Sequence, residues 1–213
     1  MELDDIVMHW TYCYHVTFET NLASICQSHI LYPAQSLLKQ ANRHDFLRRR
    51  RARNLPLRVE GRDILIRNQY PLAPESLDLG ATGTLEEYVE CLNSYVYFWP
   101  GTASGPVDDG IRMFYRTNGT PSLVIRIPTC ALINANQASS VYVSTCNTGA
   151  AWTAQGLRSR RGPEVFQPFD EFSEHPANIH EICFAGRVCL PEQTGYSISL
   201  SGPWRTLCGQ SRH

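Results

Sequence analysis

Lysine is nearly absent from this chain of 213 residues: 18 of its 19 basic residues are arginine, and Lys39 is the exception. Long apolar runs are also missing, since none approaches the about 18 residues that a membrane span needs. The N-terminal MELDDIVMHW is acidic, where a signal peptide is basic. We therefore expect a cytoplasmic protein with no membrane partner.

Several sequence motifs of common enzyme classes are absent as well. The chain has neither the GxGxxG of dinucleotide-binding folds nor the GxxxxGK[ST] of P-loop proteins. It also lacks GxSxG and HExxH, although a Ser-His-Asp triad stays open. No CxxC pair occurs among the eight scattered cysteines, which argues against a zinc or other metal site. We expect reduced, mostly buried thiols.

What is present fits one globular domain over residues 1–213. Hydrophobic residues make up 43% of the chain and charged residues 18%. Candidate strands and helices are mixed without strict βαβ alternation, which predicts an α+β fold with largely antiparallel pairing. Apolar periodicity and turn residues predict strands at 10–18, 63–69, 95–101, 122–128, 141–151 (ending in a turn) and 179–191, and helices after Thr20 and within 34–53, 84–94 and 105–116.

The arginines are concentrated in one segment. Residues 43–67 hold nine of them against three acids, a local charge of about six positive. A run such as RRRR at 48–51 is commonly a solvated helix face or a loop. Guanidinium groups also suit phosphate, so a nucleic-acid surface is the second interpretation. A smaller group, 158–161, lies in a predicted loop.

Two polar residues occupy strand-like apolar surroundings. His15 lies within WTYCYHVTF, and it is either a satisfied structural hydrogen-bonder or a ligand contact. Glu181 lies within IHEICFAG, where alternation places it on one face with Ile179 and Cys183. A carboxylate there is costly without a partner, so it is either a salt-bridged structural residue or a functional one.

Three segments in this order resemble the DarT-related branch of the ADP-ribosyltransferase superfamily: YHVTFETNL (14–22), YVYFWPG (95–101) and IHEICFAGRV (179–188). Tyr97 stands where that branch has proline. Over most of residues 10–192 the chain more closely resembles an uncharacterised bacterial domain family, through IRNQYPL (66–72), LNSYVYFW (92–99) and CNTGAA (146–151).

The resemblance implies an ADP-ribosyltransferase-like fold, in which two small packed sheets with flanking helices form a cleft for NAD as co-substrate. It implies Glu181 and Arg51 as catalytic residues, with Glu181 facing the cation-like ribose that forms as nicotinamide departs. It also implies NAD-binding roles on the first strand and beyond. Those residues are His15, Thr17, Asn21, Phe98 and Trp99, with core packing as the alternative for one of the last two.

The same resemblance implies a nucleobase in single-stranded DNA or RNA as the acceptor, and a toxin or phage-defence role. Arg49, Arg50, Arg53 and Asn147 are then the nucleic-acid contacts, although Asn147 also suits a plain turn. A toxin of this type implies a neutralising antitoxin protein as partner. The alternatives are NAD hydrolysis, a protein acceptor, or a nucleic-acid-binding module without activity.

Overall fold

A computed structural model of the chain describes residues 3–81, 83–116, 119–136, 141–151 and 157–207. Within these residues the α-helices are α1 (Leu3–His9), α2 (Leu22–Ser28), α3 (Ala34–Gln40), α4 (Leu85–Asn93), α5 (Asp108–Tyr115) and α6 (Thr129–Ala135). None of the described helices has the length and apolar character needed to cross a bilayer.

The strands are short, and most pair antiparallel. They are β1 (Tyr12–Phe18), β2 (Ile30–Leu31), β3 (Leu55–Val59), β4 (Arg62–Ile66), β5 (Leu77–Asp78), β6 (Tyr95–Thr102), β7 (Gly105–Pro106), β8 (Ser122–Pro128), β9 (Val141–Ser144), β10 (Ser159–Arg160), β11 (Gln167–Pro168), β12 (Glu181–Ala185), β13 (Val188–Cys189), β14 (Gly195–Ser197) and β15 (Arg205–Thr206). With the helices, they confirm the predicted α+β class.

One sheet dominates, with strand order β11-β9-β12-β6-β1-β8-β14-β15 and β7 attached to β6. Its two wings meet at β6, which divides its pairing between them. Residues 95–98 pair with β12, whereas residues 99–101 pair with residues 12–14 of β1. Beyond Tyr14, β1 continues only along β8, so β1 and β6 separate. The expected two sheets are therefore two wings of one strand path that splits at its centre.

Apolar residues cover both faces of this sheet. On one face Phe98, Ile125 and Ile182 form the main core with α1 and α6. On the other, Cys183 packs with residues of α4. Neighbouring residues of β12 thus serve opposite faces, as strand geometry requires. Glu181 shares the Cys183 face by the same alternation, as predicted; Ile179 precedes the strand and packs in the main core instead.

The helix predicted over 34–53 is wrong beyond its first two turns. α3 ends at Gln40 because Asn42 adopts a left-handed conformation with φ of 55°. The amide of Arg43 then donates to the carbonyl of Leu38, and the amide of Asn42 to that of Lys39. These two bonds form a Schellman motif, a common helix end in which asparagine can replace glycine. The arginines after it lie in irregular chain.

A hairpin that the sequence pattern only half predicted follows. The predicted strand at 63–69 is β4, which covers Arg62–Ile66, and β3 precedes it across a two-residue turn. Glu60 and Gly61 in that turn both have positive φ, 49° and 79°, as a type I′ turn requires. Glutamate is unusual at that position, so the turn signal was weak.

The cysteines differ from the expectation in their burial. All seven in the described residues are free thiols, but only Cys13 and Cys183 are buried, while Cys130 and Cys189 are exposed. Cys208 lies outside the described residues. Mostly buried thiols were thus a wrong prediction.

Candidate active site

A cavity of about 260 Å³ opens where β1 and β6 separate. Its volume is near the lower end of the about 300–1,000 Å³ typical of small-molecule sites. Part of the lining is apolar and comes from α2, α3 and β4, through residues such as Ile25, Leu37 and Ile64. Another part is polar and includes Arg51, Arg67, Asn93, Asn147, Thr148 and Glu181. The cavity therefore suits a ligand that has both apolar and anionic groups.

His15 bridges the gap between the two separating strands. Its Nδ1 lies 2.8 Å from the carbonyl oxygen of Tyr97 on β6. Burial lowers the pKa of His15 to about 4, so the ring is neutral at pH 7. A carbonyl only accepts, so Nδ1 carries the proton and Nε2 keeps its lone pair. His15 thus lines the cavity as a structural bridge that still has one acceptor to offer a ligand.

Glu181 belongs to the polar part of the cavity lining, and only 2% of its surface is exposed. Its Oε2 accepts hydrogen bonds from the backbone amide of Thr148 at 3.1 Å and from the Thr148 hydroxyl at 2.6 Å. Burial nevertheless raises the pKa of Glu181 to about 7, and the charge of Asp109 acts in the same direction. No salt bridge to Glu181 occurs among the described residues. The described residues therefore do not give Glu181 the salt-bridged structural role.

The turn that carries Thr148 is held from behind. Arg161, which is 7% exposed, donates to the carbonyls of Asn147 and Ala150 at 3.1 and 2.7 Å. The Tyr88 hydroxyl on α4 donates to the carbonyl of Thr148 at 2.9 Å. These bonds fix the backbone on both sides of the residue that orients Glu181.

Arg51 is buried in the cavity wall and has a rigid set of partners. Its Nη1 donates to Asn93 Oδ1 at 2.8 Å and its Nε to the carbonyl of Arg67 at 3.1 Å. The main chain of Arg51 also pairs with Gln69 in both directions. Burial lowers the pKa of Arg51 to about 10, which leaves it charged at neutral pH.

Arg67 is a second cavity cation that the sequence-based prediction did not single out. Its Nη1 donates to the carbonyl of Met113 at 3.3 Å, and its guanidinium carbon lies 5.5 Å from the centre of the Phe18 ring. Its Nη2 is buried and finds no acceptor within the described ranges. Burial lowers the pKa of Arg67 to about 10, so it too stays charged. A partly buried cation that lines the cavity favours an anionic ligand.

Seven of the predicted site residues line this one cavity: His15, Thr17, Asn21, Arg51, Trp99, Asn147 and Glu181. Asn21 lines it with its amide already engaged, because it donates to the carbonyl of Leu65 and accepts from the Leu65 amide. That side chain holds α2 against β4. Its predicted contact with a ligand stays a prediction beside this structural role.

The two aromatic residues Phe98 and Trp99 of β6 lie on opposite faces of the sheet. Phe98 is fully buried in the main core and packs edge-on against Phe184 at 5.5 Å, so the predicted stacking on a ligand is wrong for this residue. Strand alternation sends Trp99 to the other face, where it lines the cavity. The buried Nε1–H of Trp99 has no acceptor in the described structure.

Arg49, Arg50 and Arg53 do not line the cavity but lie beside Arg51 in the chain. Arg49 and Arg53 are exposed, and Arg50 is partly buried. Arg50 donates to the carbonyls of Gln69 and Tyr70, both at 3.1 Å. We refer to these three arginines, which neighbour the cavity-lining Arg51 in the chain, as the rim.

The three segments that resemble an uncharacterised family come together at the cavity. Arg67, Asn68 and Gln69 come from IRNQYPL, Asn93 and Tyr97 from LNSYVYFW, and Thr148 from CNTGAA. Few of the polar residues in these segments were predicted as site residues. Their polar composition was a signal for a binding site, but only the fold shows that the three segments line the same cavity.

No cluster of three or more histidine, cysteine or acidic side chains suited to a metal ion occurs among the described residues. No curated protein and no solved structure matches this chain. One family model matches residues 11–192, and its description is a family of unknown function, DUF7002. That match covers the cavity lining, the three convergent segments and the main sheet except β14 and β15, and the chain belongs to this DUF7002 family.

Proposed function

We propose that this protein is an NAD-dependent mono-ADP-ribosyltransferase with an ADP-ribosyltransferase-like fold, acting on a nucleobase of single-stranded DNA or RNA. The observation that carries the proposal is the shared cavity of Glu181 and His15, placed where the central sheet splits. A buried carboxylate with a shifted pKa in a cleft is a common signature of an active site.

The cationic residues of the lining suit the anionic part of NAD. Arg51 and Arg67 are both charged at neutral pH, and Arg67 Nη2 has no hydrogen-bond partner within the described residues. Pyrophosphate oxygens are strong acceptors for guanidinium groups. The free lone pair on His15 Nε2 would accept a hydrogen bond from a ribose hydroxyl. The apolar part of the lining suits a flat ring system.

Glu181 is suited to two tasks in such a reaction. NAD, when bound, supplies a ribose whose bond to nicotinamide breaks with the electron pair leaving on nicotinamide. An ionised Glu181 stabilises positive charge that develops on that sugar. It also takes the proton that the acceptor base loses as its nitrogen or oxygen bonds to the ribose carbon. With a pKa of about 7, Glu181 is ionised in a large share of molecules at neutral pH.

The acceptor assignment depends on the rim. Arg43, Arg48 and Arg58 are paired with carboxylates, whereas Arg49, Arg50 and Arg53 have no carboxylate partner within the described ranges. Unpaired arginines beside the cavity suit a phosphate backbone, and Asn147 lies at the cavity itself. We propose a toxin or phage-defence role in the cytoplasm, with an antitoxin protein restraining it.

The decisive experiment gives the purified chain NAD labelled in its adenylate phosphate, together with separate pools of single-stranded DNA, single-stranded RNA and protein. We expect label in a nucleic-acid pool. The matched variant is Glu181→Gln, whose amide oxygen can still accept both Thr148 hydrogen bonds. We expect it to lose about 100-fold or more of the activity, because it cannot ionise.

The other outcomes separate the alternatives. Nicotinamide release without transfer of label would indicate an NAD glycohydrolase, and label in the protein pool a protein acceptor. If the wild-type chain neither releases nicotinamide nor labels any pool, the proposal fails.

A further inference from the structure

An exposed tyrosine stands at the edge of the candidate active site. Tyr70 is 69% exposed, while its neighbours Gln69 and Pro71 both line the cavity. A single exposed aromatic side chain is ordinary on a protein surface. Tyr70 differs from such a residue in two respects: side-chain hydrogen bonds hold its backbone, and the charged Arg50 lies beside its ring.

The turn beneath Tyr70 is fixed by side-chain hydrogen bonds. Its amide donates to Asn68 Oδ1 at 3.0 Å. Asn68 is held in turn by Asn54, whose Oδ1 accepts from the Asn68 amide at 3.0 Å and from its side chain at 2.8 Å. The ring is therefore presented from a preorganised backbone, which lowers the entropy lost when a partner binds.

Arg50 completes this arrangement. Its forked guanidinium donates to the carbonyls of Gln69 and Tyr70, and its central carbon lies 6.0 Å from the centre of the Tyr70 ring. The side chain of Arg50 is thus anchored by neutral carbonyls and keeps its charge unneutralised beside the aromatic face. The chain segment 50–54 runs alongside segment 67–70 through these bonds, which places the exposed Arg53 on the same rim.

We propose that Tyr70 and Arg50 form a stacking platform for a base of single-stranded nucleic acid, with the exposed Arg53 contacting a neighbouring phosphate. Every base has a flat face, so the platform provides affinity without choosing a sequence. The inference rests on the proposed function: the stacked base flanks the acceptor base, which enters the cavity. An acidic peptide would use the arginines but would gain little from a flat exposed ring.

The test measures binding without NAD, so that it does not depend on catalysis. Labelled single-stranded DNA and RNA of about 12 nucleotides, within the usual site size of such surfaces, are titrated with the full chain and followed by fluorescence anisotropy. We expect Tyr70→Ala to weaken binding by about tenfold or more, and Tyr70→Trp to retain it, since a stacking base is worth about 1–3 kcal/mol. Tyr115→Ala is the matched control because Tyr115 is 72% exposed and lies outside the cavity lining.

Unchanged affinity in Tyr70→Ala, or no binding of either oligonucleotide by the wild-type chain, would overturn the platform. A melting temperature for each variant excludes loss of folding, and Tyr70→Trp gives a second reading that keeps the ring. Nicotinamide release from NAD is measured separately. If Tyr70→Ala weakens binding while the wild type never cleaves NAD, the platform stands and the proposed function falls. If the wild type labels nucleic acid and Tyr70→Ala binds and labels equally well, only the platform falls.

Discussion

Glu181 combines a proposed catalytic role with a cost in folding stability. It is almost fully buried, and its two hydrogen bonds both come from Thr148 and both reach the same oxygen. Ionising a buried carboxylate without a cation in contact is unfavourable, which is why its pKa rises to about 7. The native state must therefore carry a free-energy penalty when this carboxylate loses its proton.

That penalty predicts a pH dependence of stability. The folded pKa of Glu181 lies above its unfolded value of 4.5, so the folded state binds the proton more tightly. Stability from this group is present below pH 4.5 and is lost as the pH rises through 7. Between pH 5 and pH 8 the wild-type chain should lose about 2 kcal/mol that Glu181→Gln does not lose. Urea unfolding of both proteins at the two pH values measures this difference.

All other titrating groups, His15 included, are common to the two proteins and cancel in the comparison. A stability difference between wild type and Glu181→Gln that stays constant from pH 5 to pH 8 would show that Glu181 titrates in the native state as it does in the unfolded chain.

At the scale of elements, the turn at 147–151 determines where Glu181 points. Arg161, which follows the turn in the chain, contributes both hydrogen bonds and a positive charge to it. Its Nη2 donates to the carbonyls of Asn147 and Ala150 and its Nη1 to the carbonyl of Arg160, while its positive charge acts to lower the pKa of Glu181. These two contributions can be separated because lysine retains the charge but not the planar guanidinium that makes these three hydrogen bonds.

We therefore predict different outcomes for two substitutions of Arg161, a positioning residue. Arg161→Lys should lower kcat by about tenfold through a looser Thr148, with little change in KM for NAD and an unchanged pH profile. Arg161→Gln should also shift the rising limb of the pH–rate profile to higher pH, because the pKa of Glu181 rises further without that charge. Nicotinamide release measured from pH 5 to pH 9 gives both values. Identical pH profiles for the two variants would contradict the electrostatic part.

Elements with strong local signals were predicted well from sequence. Helix α4 begins at Leu85 and is capped by Thr84, whose hydroxyl accepts from the amide of Glu87 while the Glu87 carboxylate accepts from the amide of Thr84. This capping box was readable from four residues. The end of α3 at Asn42 was missed because asparagine gives a weaker stop signal than glycine. Strand β3 was missed because Glu60 masks the turn that pairs it with β4.

At the scale of the whole molecule, the site depends on a feature that no local pattern encodes. The strands β1, β6 and β12 were all predicted, but not the division of β6 between two partners, because pairing is decided by contacts over long sequence separations. The shared position of His15 and Glu181 was expected only through a family resemblance. Arg67 went unnoticed because it was one arginine among nine in its segment, and only the fold shows that it lines the cavity.

Charge acts locally in this protein. The net charge of −1 would predict weak repulsion from nucleic acid, whereas the rim beside the cavity is positive. Arg53 and Arg58 are both exposed in this segment, but Arg58 lies 2.7 Å from Asp63 and Arg53 has no carboxylate partner within the described ranges. Arg53→Gln and Arg58→Gln therefore change the net charge equally and the rim charge unequally.

We predict that oligonucleotide affinity falls with salt and that Arg53→Gln reduces the slope of log K against log salt by about 0.7, the value for one phosphate contact on a single strand. Arg58→Gln should leave the slope unchanged, since Asp63 already neutralises that charge. Anisotropy titrations at several salt concentrations measure all three slopes. Equal slopes for the two variants would mean that net charge, rather than the arrangement of arginines around Arg51, governs binding. The proposal that the acceptor strand contacts the rim would then be wrong.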